Sequence, residues 1–522
     1  MRRAAGALLL ALSITACGST VQVSSTSQLD GTTGGTSGLG GGTTSGTSGT
    51  SGAGSDPSTS GTTGLQGGTT SGGSTPSLVP TAGGSSSTAT GGSPLPSPAV
   101  TGLGVTAKTI TIGFSYSGNS NEANAAIGAS GITSGDDHAN AIALRDEINE
   151  HGGIRGRKLV VVFHEYDSNS TAPGTSQDSA ACTTFTQDHR VIAAFATNLS
   201  DNLPACLRKA GALQLKSGVI VSEDSTYLRQ YPGLVLLATI AQDRALRDQV
   251  GSLVRQSWFT PWNTVTAGPA ATGTPKLGVL AYDDASSRRS VPGTLLPALR
   301  NAGHPVAASD VYFVKKVGSQ SDLSQTVAGI KSATLKLQQA GVTHLVLDDE
   351  NGLILGLFAT NARTQNYYPR FGVTSGAGTQ AIHDTGLVQP KQLAGLGGNS
   401  WLPPLDLPAA DSGKYATSAT KRCLEILKRR TGQTFDSTNA ATVALGTCDQ
   451  FFLFQQAMAV APTLSPRGLA QGIESLVDGY TSPMLPRSRF TSAQHDEGVQ
   501  GWDLSWVDAC TCVRYANPHV IS

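Results

Sequence analysis

Residues 139–167, ANAIALRDEINEHGGIRGRKLVVVFHEYD, restrict what this chain can fold into more than any other stretch. Ala141, Ile142, Leu144 and Ile148 recur at the spacing of one helical face; Gly152 and Gly153 break that pattern, and the β-branched run LVVVF (159–163) follows. Helix, glycine stop and strand make half of an α/β repeat. Just upstream, TITIGF (109–114) alternates as a short strand and runs into a Ser/Gly/Asn loop. The unit therefore reads strand, loop, helix, strand, and strands joined through a helix run parallel.

The alternation continues, with a helix predicted over 177–188, a strand over 191–196, a helix over 201–209 and a strand over 219–221. This favours a doubly wound α/β sheet over an α+β arrangement. In such sheets ligands sit outside the carboxyl ends of the strands, so the loops to watch are 115–121, 197–202 and 222–227. LVLLATIAQDRALRDQVGSLV then leaves this lobe for a new helix with Asp243 near its start. A second run of the same grammar follows: strands over 277–281, 311–314, 344–347 and 370–373, helices over 291–301, 323–340 and 352–364. Beyond Thr374 the chain is Gly/Pro-rich before helices resume over 416–430, 440–459 and 469–477.

Asn149 to Leu159, NEHGGIRGRKL, resembles the N-x-x-G-G-I-x-G-R-x-L signature of the type I periplasmic binding proteins, the branched-chain amino-acid-binding family of ABC importers. The resemblance spans residues 109–516 and implies two doubly wound parallel-sheet lobes joined by a multi-crossing hinge. Lobe 1 would comprise residues 105–239 and 376–480, and lobe 2 residues 240–375 and 481–522; the residues alone suggest two sequential domains. Several crossings make a hinge.

By itself Ser200 reads as the N-cap of a helix starting at Asp201. The family holds a ligand carboxylate with hydroxyls and main-chain donors in this loop and the next, which implies a ligand role for Ser200, Ser225 and Thr226. Tyr116 falls where relatives place an aromatic wall. The opposite jaw would come from YDDASSRR (282–289) and LDDENG (347–352), where Asp283, Asp284, Asp349 and Glu350 are candidates to pair with a cationic group; acidic loops are more often solvated turns and helix starts. GVTSGAG after Phe371 departs from the amino-acid binders, lacking the acidic residue they use for an α-ammonium.

The N-terminus carries Arg2 and Arg3, an apolar run over 7–12, and ITAC ending at Cys17. This resembles a bacterial lipoprotein signal (1–17) with its lipobox, which implies cleavage before Cys17, acylation, and anchoring on the extracytoplasmic face of the cell membrane; the rival is a secretory signal cleaved after Ala16. Much of the chain's 63 glycines, with serine and threonine, fills residues 18–104. Such a composition cannot bury enough apolar surface to order itself and reads as a tether, with a typical reach on the order of 50 Å.

After Cys17 six cysteines remain: Cys182, Cys206, Cys423, Cys448, Cys510 and Cys512. An even number in an exported chain favours disulfides. Cys182 with Cys206 is the first choice, because each lies on a predicted helix beside one strand and relatives of the resembled family carry a bridge in that region. Cys423 with Cys448 would tie neighbouring helices, leaving Cys510 and Cys512 to form a short loop or to exchange with the others. Zinc is the rival use, but no C-x-x-C occurs.

Lys plus Arg equals Asp plus Glu at 36 each, so there is no basic field to recruit nucleic acid. HEYD (164–167) has no second histidine at metal spacing, and neither a G-x-S-x-G elbow nor a G-x-x-x-x-G-K loop is present. The sequence therefore points away from catalysis, cofactors and metals. It points to a lipid-anchored solute-binding protein that captures a small polar solute, an amino acid or related amide or carboxylate, and hands it to ABC permease subunits. A ligand sensor signalling to a membrane partner and an envelope lipoprotein with a vestigial cleft are the alternatives.

Overall fold

The computed structural model describes residues 102–126, 135–217, 222–435 and 438–522. Cys17 and nearly all of the Gly/Ser/Thr tether lie outside the described residues.

Five strands form the first sheet: β1 (Thr109–Gly118), β2 (Lys158–Asp167), β3 (Ala193–Phe195), β4 (Leu213–Ser217) and β5 (Leu234–Leu237). All pair in parallel in the order β2-β1-β3-β4-β5. The helix Asp137–Glu150 lies in the connection from β1 to β2 and lets the two strands run parallel. Asp136 caps the helix Asp137–Glu150, its carboxylate accepting the Ala139 N–H at 2.8 Å. Ala141, Leu144 and Ile148 bury one face against the sheet. The helix stops because Gly152 and Gly153 take positive φ, +91° and +69°; a Cβ on Gly153 would meet the Arg157 carbonyl at 2.1 Å.

A two-residue ladder, β6 (Trp262–Asn263) and β7 (Gly268–Pro269), precedes the second sheet. That sheet contains β8 (Leu277–Tyr282), β9 (Val311–Val314), β10 (His344–Asp348), β11 (Arg370–Val373), β12 (Gly397–Ser400), β13 (Gln500–Val507) and β14 (Cys512–Val520). Its order is β14-β13-β12-β11-β10-β8-β9. Counted from β8, its five parallel strands repeat the 2-1-3-4-5 order of the first sheet, and β13 and β14 extend it as an antiparallel hairpin. The doubly wound sheet is therefore present twice in one chain, once in each of two lobes.

Three segments cross between the lobes. The first is 238–241, after β5. The second leaves β12 at Trp401, whose N–H donates to Ser375 Oγ at 2.9 Å. The third, 495–498, runs beside the first: Leu236 N–H donates to the His495 carbonyl at 2.8 Å and Gly498 N–H to the Thr239 carbonyl at 3.0 Å. Carboxylates reinforce this junction, Glu497 accepting the Ala238 N–H at 2.6 Å and Asp496 the Ala241 N–H at 2.7 Å. Ala238 holds φ +59°, a left-handed conformation that costs a non-glycine residue about 1–3 kcal/mol.

Between the second and third crossings the chain returns to lobe 1, where the helix Thr438–Val460 lies against the first sheet. Phe195 packs edge-on to Phe451 and Phe454 with ring centroids 5.1 and 5.3 Å apart, so the longest of the described helices closes the core of lobe 1.

Several elements differ from the sequence reading. The strand expected over 219–221 lies outside the described residues; the fourth strand is Leu213–Ser217. LVLL, read as part of an exit, is β5. The helix expected over 177–188 is α-helical over Gly174–Cys182 and continues as a π-helical turn, Thr183–Asp188. The Gly-rich GGNS, to which the sequence pattern assigns no element, is β12, so the second sheet extends past residue 375. Glycine is required there: a Cβ on Gly397 would lie 2.9 Å from the Trp258 ring. Disulfides join Cys182 to Cys206, Cys423 to Cys448 and Cys510 to Cys512, with Cα–Cα distances of 6.0, 5.9 and 5.2 Å. The third closes the turn between β13 and β14.

Candidate functional site

In a sheet of order 2-1-3-4-5 the winding reverses between β1 and β3, and the loops leaving their carboxyl ends diverge to leave a crevice. In lobe 1 that crevice is a cavity of about 180 Å³. Phe114 to Ser117 enter it from the end of β1, Thr197 follows β3 and Ser217 ends β4; Asp137 comes from the first turn of its helix. Thr442, Gly446, Thr447 and Gln450 on the helix Thr438–Val460 form the far wall.

The hydroxyl oxygens of Ser115 and Ser217 are buried with no hydrogen-bond partner among the described residues. Leaving such a group unsatisfied costs about 1–3 kcal/mol, which an occupant of the cavity recovers. Asp137 accepts a hydrogen bond from the Thr447 hydroxyl at 3.1 Å. Burial pushes its carboxyl up to about 7, the Thr447 contact opposing and neighbouring Asp136 adding to the shift. Gln450 Nε2 donates to the Leu215 carbonyl at 2.9 Å and so anchors the helical wall to β4. The Tyr116 ring stands 4.9 Å from His138, and its hydroxyl donates to Glu165 at 3.0 Å.

Of the residues proposed from the sequence, Tyr116 lines this cavity. The others have partners within the protein. The Ser200 hydroxyl and N–H both donate to Asp178 Oδ2, each at 2.7 Å, and its hydroxyl oxygen accepts the Asn202 N–H at 3.2 Å. Ser225 donates its N–H and hydroxyl to Asp243, both at 2.8 Å. The Thr226 hydroxyl accepts from Arg229 Nη2 at 2.9 Å. The donors that the resemblance reserved for a ligand carboxylate are thus met at Ser200 and Ser225 by carboxylates of the chain itself.

The matching crevice of lobe 2, between the ends of β8 and β10, is built differently. Tyr282 is buried and its hydroxyl donates to Asn351 at 3.0 Å. Asp348 accepts from Gln242 Nε2 at 3.0 Å and is raised to about 7 by burial, with Asp284 and Glu350 adding repulsion. Asp349 turns back onto its own helix start, accepting the Leu355 N–H at 2.8 Å and the Gly352 N–H at 3.1 Å. Glu350 accepts from Lys316 at 2.8 Å, yet burial still lifts its carboxyl to about 7. Asp283 is paired with Arg288 at 2.7 Å on the surface.

The lobes meet directly. Asp224 in lobe 1 takes a two-pronged contact from Arg289 in lobe 2, at 2.7 and 2.9 Å, and Gln320 N–H donates to the Ser170 carbonyl at 3.1 Å. Beside these contacts Lys216 pairs with Glu223, both buried. Among the described residues no cluster of three or more potential ligands is placed to hold a metal ion, and no helix is long and apolar enough to cross a membrane.

The rule that strand ends face the ligand, applied to the strands expected from the sequence, marks the loops containing Ser115 and Thr197. It does not reach Asp137, Ser217, Gly446, Thr447 or Gln450. Asp137 carried one usable signal, its place in the first turn of the organising helix; the others depend on where a distant helix lands.

Duplicated 2-1-3-4-5 sheets, a triple crossing and crevices at the carboxyl ends define a two-lobed binding-protein architecture. The chain has the fold of the type I periplasmic binding proteins. It is similar to an ABC transporter substrate-binding protein from Desulfitobacterium hafniense solved with Leu, at 16% identity, covering 78% of this chain and 100% of that one with a TM-score of 0.51. A solute-binding protein from Rhodopseudomonas palustris solved with p-hydroxybenzoic acid is 11% identical, with 80% and 98% covered and a TM-score of 0.53. A fatty acid ABC transporter substrate-binding protein from Thermomonospora curvata is 14% identical, with 81% and 94% covered and a TM-score of 0.51. No protein-family model and no curated protein matches the sequence.

Proposed function

We propose that this chain is an extracytoplasmic solute-binding protein that takes a small polar solute between two hinged lobes and delivers it to the permease of an ABC importer, with no covalent chemistry. The observation that carries the reading is the lobe 1 cavity: it lies at the switch point of the fold and presents two buried, unsatisfied hydroxyls. The similar proteins, whose solutes include leucine and hydroxybenzoate, support the role without fixing the solute. Closure is a ligand-driven shift between populations, which the three crossings permit. Acylation of Cys17 would hold the protein at the membrane, and the tether would give the lobes their reach.

The test is a thermal-unfolding screen against amino acids, amides, sugars, amines, aromatic acids and fatty acids, with calorimetric confirmation. A solute that binds only the native state adds about 2.7 kcal/mol at one hundred times its dissociation constant. No shift across the whole panel, from a folded protein, removes the solute-binding role. Anchoring is tested separately by detergent partition: wild type should enter the detergent phase, and Cys17→Ser should remain aqueous.

A further inference from the structure

We infer that the solute of the lobe 1 cavity is a small organic ammonium cation without a carboxylate. The inference rests on the solute-binding reading and names its solute class.

Three observations converge. The first is charge. Among the described residues lining the cavity there is no lysine, arginine or histidine, while Asp137 contributes a carboxyl group that makes no ion pair. Asp136 precedes it and Glu165 holds the hydroxyl of the lining Tyr116, against one imidazole, His138, beside the Tyr116 ring, so acidic groups outnumber basic ones around the cavity. A carboxylate solute would enter without a cationic partner; an ammonium would meet Asp137 directly.

The second is the lining. Phe114 and Tyr116 from β1 and Val443 from the helix Thr438–Val460 give it apolar and aromatic character, which suits methyl or methylene groups around a positive nitrogen. Among the same lining residues, Ser115 and Ser217 offer hydroxyls that the protein leaves unused, matching a hydroxyl or N–H on the solute. About 180 Å³ is below the range of drug-sized ligand sites, so the solute has few non-hydrogen atoms.

The third is the fate of the alternative anion site. Asp178 occupies the donors of Ser200, and Asp243 those of Ser225, so a solute carboxylate has no free hydroxyl at either position.

The experiment compares three molecules of nearly one shape by calorimetry on the whole protein: choline, its uncharged isostere 3,3-dimethylbutan-1-ol, and its carboxylated relative glycine betaine, with ethanolamine and tetramethylammonium as further cations. Choline or another of the cations is expected to bind at least tenfold more tightly than the alcohol and betaine. Asp137→Asn should abolish that preference while the protein stays folded, because it removes the carboxyl that faces the cation and keeps the shape. The inference is overturned if the alcohol or betaine binds as tightly as the cations, or if Asp137→Asn binds the cations unchanged. A carboxylate or neutral solute from the broad panel binding where every cation fails overturns the inference and leaves the solute-binding reading standing. No binding by either panel overturns both.

Discussion

The two lobes thread five parallel strands in the same order, and both place a reversal of winding between their first and third strands. Topology therefore grants each a crevice at the same position. In lobe 1 the strand ends carry Ser115, Thr197 and Ser217, small side chains that leave the space open. In lobe 2 the corresponding ends carry Tyr282, Asp348 and Glu350, which are buried there and are met by Asn351, Gln242 and Lys316 respectively. The fold supplies the place, and the volume and charge of two or three residues decide whether it becomes a cavity or part of the interior.

The acidic crevice of lobe 2 should respond to pH more strongly than any other part of the comparison. Asp348 has its carboxyl raised from the usual carboxylate value to about 7, chiefly by burial. A raised acid binds protons better folded than unfolded, so its stabilising effect is complete below about pH 4 and is lost as pH rises towards 7. A shift of that size corresponds to about 4 kcal/mol across the interval. Asp348→Asn should flatten the slope of denaturant stability between pH 4.5 and 7.5 and raise stability at the upper end. An unchanged slope would remove Asp348 as its source. In lobe 1, Asp137→Asn should flatten the slope in the same sense, since that carboxyl is also raised to about 7 by burial.

Lys316 supplies the positive charge that Glu350 and Asp284 face, at 2.8 and 3.5 Å. Lys316→Met keeps most of the side-chain volume and leaves Glu350 buried without its cation. Removing one partner of a buried pair costs about 3–5 kcal/mol, and the partial exposure of Lys316 places the expectation at about 2–4 kcal/mol in urea unfolding at pH 7. Ser217→Ala, on the open side of the comparison, should cost under about 0.5 kcal/mol because its hydroxyl makes no hydrogen bond. Equal losses for the two would mean that the crevices are energetically alike.

Arg289→Ala tests the contact between the lobes. It removes the bidentate grip on Asp224 while Asp224 keeps its cap on the Tyr227 N–H at 2.7 Å. With the guanidinium more than a third exposed, the loss should be about 1–2 kcal/mol. It should show as a larger radius of gyration in small-angle scattering, recovered at saturating solute. An unchanged scattering profile would mean that other contacts hold the lobes together.

How much of this could be read from the sequence follows from what each residue advertises. The helix Asp137–Glu150 and strand β2 were legible because helical spacing, paired glycines and a β-branched run all agreed locally. Strand β4 was not: LQLKS places Gln214 and Lys216 in the interior, where they bond to the Ala196 carbonyl and to Glu223, and a polar alternation of that kind reads as surface. The more apolar GVIV just after it drew the strand downstream. The loops holding Ser115 and Thr197 were legible from the rule that strand ends face the ligand. The far wall was not, since it belongs to a helix more than two hundred residues away whose register over β4 is set by tertiary packing.

The smallest effect divides stability from binding within lobe 1. Gly446 sits inside the long helix Thr438–Val460, where glycine is less favourable than alanine by about 1 kcal/mol. It also lines the cavity: a Cβ there would lie 3.0 Å from Ser217 Oγ and 3.7 Å from Met484 Sδ. Gly446→Ala should therefore leave thermal stability unchanged or raise it by up to about 1 kcal/mol, because the helical gain offsets a displacement of a few tenths of an ångström at Ser217. Solute affinity should fall about tenfold in calorimetry, since the methyl takes space and moves a hydroxyl. Loss of both stability and affinity would show that the glycine serves packing alone; affinity retained would mean that the solute does not reach this wall. The opposed signs are expected only where a cavity has been kept open at the expense of the helix that lines it, a cost that lobe 2, with its crevice filled, has no occasion to bear.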